Sequence, residues 1–177
     1  MSSRCQSASE GPILVAIGAN LPDPRGAKPL ETCRAAAAAL DGLPGLRLVA
    51  LSRWWASAPI PAAEDQPDYV NGVARLDGET TPEALLQALQ AIERRAGRQP
   101  ARAPNAARPL DLDIIAIGPQ IRHSPDPILP HPRAHLRAFV LAPLAEVAPG
   151  WAHPILGQPA AALLATLPPQ LLRPLGL

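Results

Sequence analysis

The 177-residue chain predicts an α+β sandwich, a small sheet with helices packed on it. Three observations carry that expectation. Strand-like apolar or alternating runs are interleaved with segments at helical spacing, in the order strand, helix, strand, strand, helix, strand. One helix start is plain at Thr81-Pro82-Glu83, with Thr as N-cap and Pro at the first helical position. The run Asp111-Leu112-Asp113-Ile114-Ile115 alternates carboxylates with aliphatic side chains, the period of a strand with one polar face.

In chain order, residues 1–11 are polar and read as a disordered extension. Ile13 to Ile17 is a short, fully apolar strand closed by Gly18-Ala19-Asn20. Residues Pro29 to Leu40 are rich in alanine, carry helix propensity and stop near Gly42. Leu46 to Ala56 predicts a second strand and Asp68 to Leu76 a third. In the third, Tyr69, Asn71, Val73 and Arg75 share one face, and Val70, Gly72, Ala74 and Leu76 the other. Leu85, Leu86, Leu89 and Ile92 then fall at helical spacing, and Gly97 ends the helix. The Asp-Leu-Asp strand completes a β-α-β-β-α-β order, the ferredoxin-like pattern. Extra C-terminal helices are expected over Leu136–Glu146 and Ala160–Leu167. No internal repeat or second domain is evident, so residues 12–177 read as one domain.

Composition limits the function classes. A net charge of +1 gives no polyanion-binding signal, and no nucleic-acid partner is expected. The first eleven residues lack the apolar core of a signal peptide, and no apolar run is long enough to cross a membrane. A soluble cytoplasmic protein without membrane association, and a monomer, is the expectation. Cys5 and Cys33 have no metal-site spacing and read as free thiols. Lys28 is the only lysine among sixteen basic residues, and no Gly-x-x-x-x-Gly-Lys loop exists. A bound nucleotide must therefore be held by metal, arginine and backbone.

The strand alternation puts Asp111 and Asp113 on one face, roughly 7 Å apart at the backbone from a ~3.4 Å rise per residue. Leu110, Leu112 and Ile114 point to the core. Two acids fixed side by side repel unless a cation lies between them. Hard oxygen ligands beside an arginine suit Mg²⁺ carrying a polyphosphate. Arg98, Arg102 and Arg108 lie just before this strand. Tyr69 and Asn71 pair a ring with an amide, which suits a flat heteroaromatic ligand. His131, stiffened between Pro130 and Pro132, precedes Arg133, Arg137 and Phe139.

With these residues assembled, the chain resembles the 6-hydroxymethyl-7,8-dihydropterin pyrophosphokinases of folate biosynthesis. The likeness covers about residues 13–150, through Gly18-Ala19-Asn20-Leu21, Asp65 to Asn71, Ile92-Glu93 with Gly97-Arg98, Arg108 to Ile114, Pro130 to Arg133 and Arg137 to Glu146. It implies ATP as co-substrate and transfer of pyrophosphate to the pterin hydroxymethyl group, with release of AMP. Asp111 and Asp113 would hold two Mg²⁺ ions, with Arg98 and Arg108 stabilising phosphoryl charge. Tyr69 and Phe139 would sandwich the pterin, and Asn71 would bond its edge with help from Ser57, Ala58 and Ile60. Gln90, Ile114, His131 and Arg137 match ATP-contacting positions. Glu93 matches a position near the nucleotide and loops, with no role assigned.

The chain departs from the pattern in its loops. Pro100 stands where better-known members carry a second arginine, and Asn105 where they carry tryptophan. Pro61 replaces a frequent glycine, and Pro132 an aromatic. Activity with altered loop closure or ATP affinity is expected. Two other readings remain at this level: another Mg²⁺-dependent phosphoryl or nucleotidyl transferase, and a non-catalytic pterin- or nucleotide-binding relative.

Overall fold

The structure is a computed structural model that describes residues 11–59, 66–98 and 107–176. Most of the expected N-terminal extension lies outside these residues, as do Cys5, Ile60, Pro61, Pro100, Arg102 and Asn105. The elements are β1 (Ile13–Ala19), α1 (Pro29–Asp41), β2 (Leu46–Leu51), β3 (Trp55–Ser57) and β4 (Tyr69–Gly78). They continue through α2 (Pro82–Arg95), β5 (Asp111–Ile117), a 3-10 turn (Ala134–Leu136), α3 (Ala138–Val147), α4 (Ala160–Thr166) and β6 (Leu172–Pro174).

The strands form one antiparallel sheet in the order β5-β1-β4-β3-β6, with β2 also paired to β4. This is the α+β, ferredoxin-like arrangement expected, with the extra helices in place. Strand β1 lies between β4 and β5, which is why it is apolar on both faces. Ile13, Val15 and Ile17 join Leu40 of α1 and Leu85 and Leu89 of α2 in one core layer. Leu14 joins Val73, Ile115, Leu141 and Leu144 in a second layer under α3. Helix α2 starts as its sequence dictates, with Thr81 Oγ1 accepting the Ala84 N–H at 3.1 Å. Cys33 is buried in α1, and burial pushes its thiol up to about 12, so it stays protonated at neutral pH. Among the described residues no helix is long and apolar enough to cross a membrane.

Two expectations need correction. The single strand over Leu46–Ala56 is two strands, β2 and β3, both laid along β4. A bulge at Val49 shifts the register from Leu48↔Leu76 to Ala50↔Arg75. At Ser52 the side chain takes over a ladder position: Val73 N–H donates to Ser52 Oγ at 2.9 Å. The chain then turns so that the Trp54 ring covers Gly72. Strand β6 was not foreseen; it pairs with the outer edge of β3, where Pro174 is tolerated because no further strand pairs beyond it among the described residues.

The Trp54–Gly72 contact gives a stability test. A Cβ on Gly72 would lie 2.7 Å from Trp54 Cζ3 and 2.8 Å from Cε3. Gly72→Ala should therefore cost about 1–3 kcal/mol through overpacking. At some 2–4 °C per kcal/mol for a chain of this size, calorimetry should show a clear fall in Tm. An unchanged Tm would mean that the indole moves aside without loss.

Candidate active site

Strand β5 presents its acids as the alternation requires. Leu112 and Ile114 are buried against α1 and α2, and Asp111 and Asp113 open on the opposite face. Across β1, Asp111 is paired with Gly18 and Asp113 with Ala16. Gly18 is in turn paired with Asn71 of β4. Small residues thus floor the middle of a pocket of about 220 Å³, with carboxylates on one side and an amide on the other.

The carboxylate side is tightly organised. Arg108 Nη1 and Arg98 Nη1 donate to Asp111 Oδ1 at 2.8 and 2.9 Å. Arg98 is also paired with Glu93, a buried carboxylate of α2. Glu93 Oε1 accepts the Leu112 N–H at 2.7 Å, the amide between the two aspartates. Burial is the main cause that pushes Glu93 up to about 7, against the pull of that N–H and of Arg98. Buried Asn20 fixes the approach to the strand: its Oδ1 accepts the Arg108 N–H at 2.9 Å, and its Nδ2 donates to the Pro67 carbonyl at 3.3 Å.

His131 N–H donates to the Ile115 carbonyl at 2.8 Å, which seats its segment beside β5. Burial, then Arg137 and Arg133, push His131 down to about 4, so the imidazole is neutral at neutral pH. Its Nδ1 accepts the Arg133 N–H at 3.1 Å, which leaves the proton on Nε2. That Nε2 lies 3.7 Å from Asp113 Oδ2. Among the described residues, four arginines (98, 108, 133 and 137) and two aspartates line the pocket, a surplus of positive charge that suits a polyphosphate.

The other half of the pocket is built on β3, β4 and the start of α3. Asn71 Nδ2 donates to Ser57 Oγ at 3.0 Å and to the Tyr69 carbonyl at 3.4 Å, so the amide oxygen is left to face a ligand. Tyr69, Phe139, Ala58 and Pro59 complete the apolar wall. Burial raises Tyr69, which keeps it a neutral ring. The Arg137 guanidinium lies 5.6 Å from the Phe139 ring centroid.

The pocket therefore brings together Ser57, Ala58, Tyr69, Asn71, Arg98, Arg108, Asp111, Asp113, His131, Arg137 and Phe139. Ile60 lies outside the described residues. Gln90 is exposed on α2, and Ile114, one residue beyond Asp113, faces the α1–α2 layer; neither lines the pocket. The sequence reading gave no role to Asn20 or Ala16, and left Glu93 without one. Their contacts span up to 88 residues and leave no local signature.

A divalent cation fits this donor set. Burial and the Asp111 charge hold the Asp113 carboxyl above the ordinary carboxylate range, a repulsion that a hard cation relieves. Among the described residues no third His, Cys, Asp or Glu completes a protein-only cage. Mg²⁺ typically binds through one or two carboxylates plus substrate phosphates, so two are enough.

A family model described as 7,8-dihydro-6-hydroxymethylpterin-pyrophosphokinase matches residues 14–149. A 2-amino-4-hydroxy-6-hydroxymethyldihydropteridine pyrophosphokinase of Pseudomonas aeruginosa is 46% identical over 137 residues, 77% of this chain and 80% of that protein. One of the same name from Haemophilus influenzae is 40% identical over 134 residues, 76% of this chain and 79% of that protein. Among solved structures, a Plasmodium falciparum HPPK-DHPS triple mutant superposes with a TM-score of 0.65. It covers 91% of this chain, which spans only 45% of that one, and at 9% identity the likeness concerns the fold.

Proposed function

Because the chain belongs to the 7,8-dihydro-6-hydroxymethylpterin-pyrophosphokinase family, we propose that this pocket transfers pyrophosphate from ATP to the hydroxymethyl group of 6-hydroxymethyl-7,8-dihydropterin. AMP is released, and the product enters tetrahydrofolate biosynthesis. One observation carries the reading: a carboxylate–guanidinium half and an aromatic–amide half share a single cavity across β5, β1, β4 and β3. Tyr69 and Phe139 both line it, which favours a pterin over the acceptors of a nucleotidyl transferase.

The roles follow from position. Tyr69 and Phe139 hold the pterin ring, with about 0.5–1.5 kcal/mol per aromatic contact beyond burial. Asn71 accepts from the pterin edge through Oδ1, its orientation fixed by Ser57, and Ala58 closes the same side. Asp111 and Asp113 hold two Mg²⁺ ions, which when bound neutralise charge on the triphosphate. Arg98 and Arg108 steady the transferring group, and both already converge on Asp111. Neutral His131 donates from Nε2 to a phosphate oxygen, and Arg137 contributes charge beside it. The adenosine end extends past the β5 edge, where Gln90 is exposed on α2 and Ile114 offers only its backbone.

In the reaction the pterin hydroxyl oxygen bonds to the β-phosphorus, the bond from that phosphorus to the α,β-bridging oxygen breaks, and AMP leaves with that oxygen. The hydroxyl proton passes to solvent water as the new bond forms. Such a loose transition state needs little covalent help, so positioning and preorganised charge supply most of the rate. Residues 12–177 act in this reading as one pyrophosphokinase domain, monomeric and cytoplasmic.

The direct test is AMP formation by the purified protein from ATP, Mg²⁺ and 6-hydroxymethyl-7,8-dihydropterin. AMP should appear only when all three are present. Pterin binding without AMP would make this chain a binding relative, disabled at Pro100 and Asn105.

A further inference from the structure

We propose that Glu146 is a positioning residue for the pterin half of the pocket, acting through strand β3 without touching substrate. The inference rests on the pterin reading above. Glu146 lies near the end of α3, the helix whose second residue is Phe139. Its Oε2 accepts the Arg53 backbone N–H at 3.0 Å. Its Oε1 accepts Arg53 Nε at 2.8 Å and Trp55 Nε1 at 3.0 Å. Arg53 lies in the short turn between β2 and β3, and Trp55 is the first residue of β3.

Strand β3 has only three residues, and it carries the hold into the pocket. Trp55 pairs with Asn71 and Ser57 with Tyr69. Ser57 Oγ then accepts Asn71 Nδ2, the bond that orients the pterin-facing amide. Helix α3 is thus fastened to β3 at its end and bears Phe139 at its start. The two form a frame around the apolar half of the cavity. The carboxylate half lies on β5, at the opposite side of the sheet, and His131 has its own anchor at Ile115.

A carboxylate is required by the donor count. Three N–H donors converge on two oxygens, and a carboxylate offers only acceptors. A glutamine would aim an NH₂ group at one of those donors. Arg53 is largely exposed, so the ion pair itself adds little stability. What Glu146 fixes is the placement of β3.

Glu146→Gln should raise KM and Kd for the dihydropterin about tenfold. KM for ATP and kcat at saturation should stay within about twofold. The Trp55 indole N–H resonance should shift in the same variant. Trp55→Phe, which removes one donor and keeps a ring, should raise pterin KM in the same direction by less. If Glu146→Gln does not fold, Trp55→Phe and Arg53→Gln carry the same KM comparison. Unchanged pterin KM with a lowered Tm, or equal losses for pterin and ATP, would overturn the proposal. Absence of pterin turnover in the unmodified protein would instead sink the functional reading beneath it.

Discussion

Asp113→Ala should lower Mg²⁺-dependent AMP formation by about 10³-fold or more and leave the fold standing. Loss of one preorganised charge-stabilising group typically costs 10²–10³ in kcat, and a lost metal ligand also displaces the phosphates it positions. The fold survives because Asp113 packs against nothing that needs it. Its side chain opens into the pocket, while the core side of β5 is held by Leu112 and Ile114.

The stability effect has the opposite sign to the activity effect. Burial and the Asp111 charge raise the Asp113 carboxyl above its ordinary range, so in the cation-free fold the ionised form is the disfavoured one. The folded protein then holds that proton more tightly than the unfolded chain. Its stabilising contribution is present at low pH and is lost as pH rises past the ordinary carboxylate range. Without Mg²⁺ at pH 8, the variant should melt at or above the unmodified Tm, and the gap should close towards pH 4. Mg²⁺ with ATP should raise Tm of the unmodified protein alone. Turnover within tenfold of the unmodified protein would remove Asp113 from the metal site.

The features legible in the sequence were those set by local chemistry. Period-2 alternation sufficed to place Asp111 and Asp113 on one face and Leu112 and Ile114 on the other. The Thr81 cap sufficed to start α2, and β1 announced its central place by being apolar throughout. The misread segments depend on partners far away. Leu46 to Ala56 reads as one strand because its break is made by Ser52 bonding to Val73 and by Trp54 covering Gly72, some twenty residues on. Strand β6 has no periodicity of its own and exists only where the β3 edge is free to pair. Glu93 followed the same rule. Its sequence context is an ordinary helix end, and its place beneath the aspartates appears only when Leu112 N–H meets it.

Phe139→Ala separates the two ligands that the pocket is read to hold. Truncation removes burial worth about 1.5–3 kcal/mol and an aromatic contact worth about 0.5–1.5 kcal/mol. Together these predict a rise in dihydropterin Kd of roughly 30-fold to 2,000-fold. ATP should lose no more than about threefold. Its anchors sit on β5 and on the His131 segment, and Phe139 reaches them only through the Arg137 guanidinium 5.6 Å from its ring. Phe139→Leu should recover part of the pterin affinity, because burial returns and the ring contact does not. Calorimetric titration of each ligand alone reads the two affinities directly. Equal losses for pterin and ATP would mean that Phe139 holds Arg137 rather than the pterin, and the aromatic wall would then reduce to Tyr69.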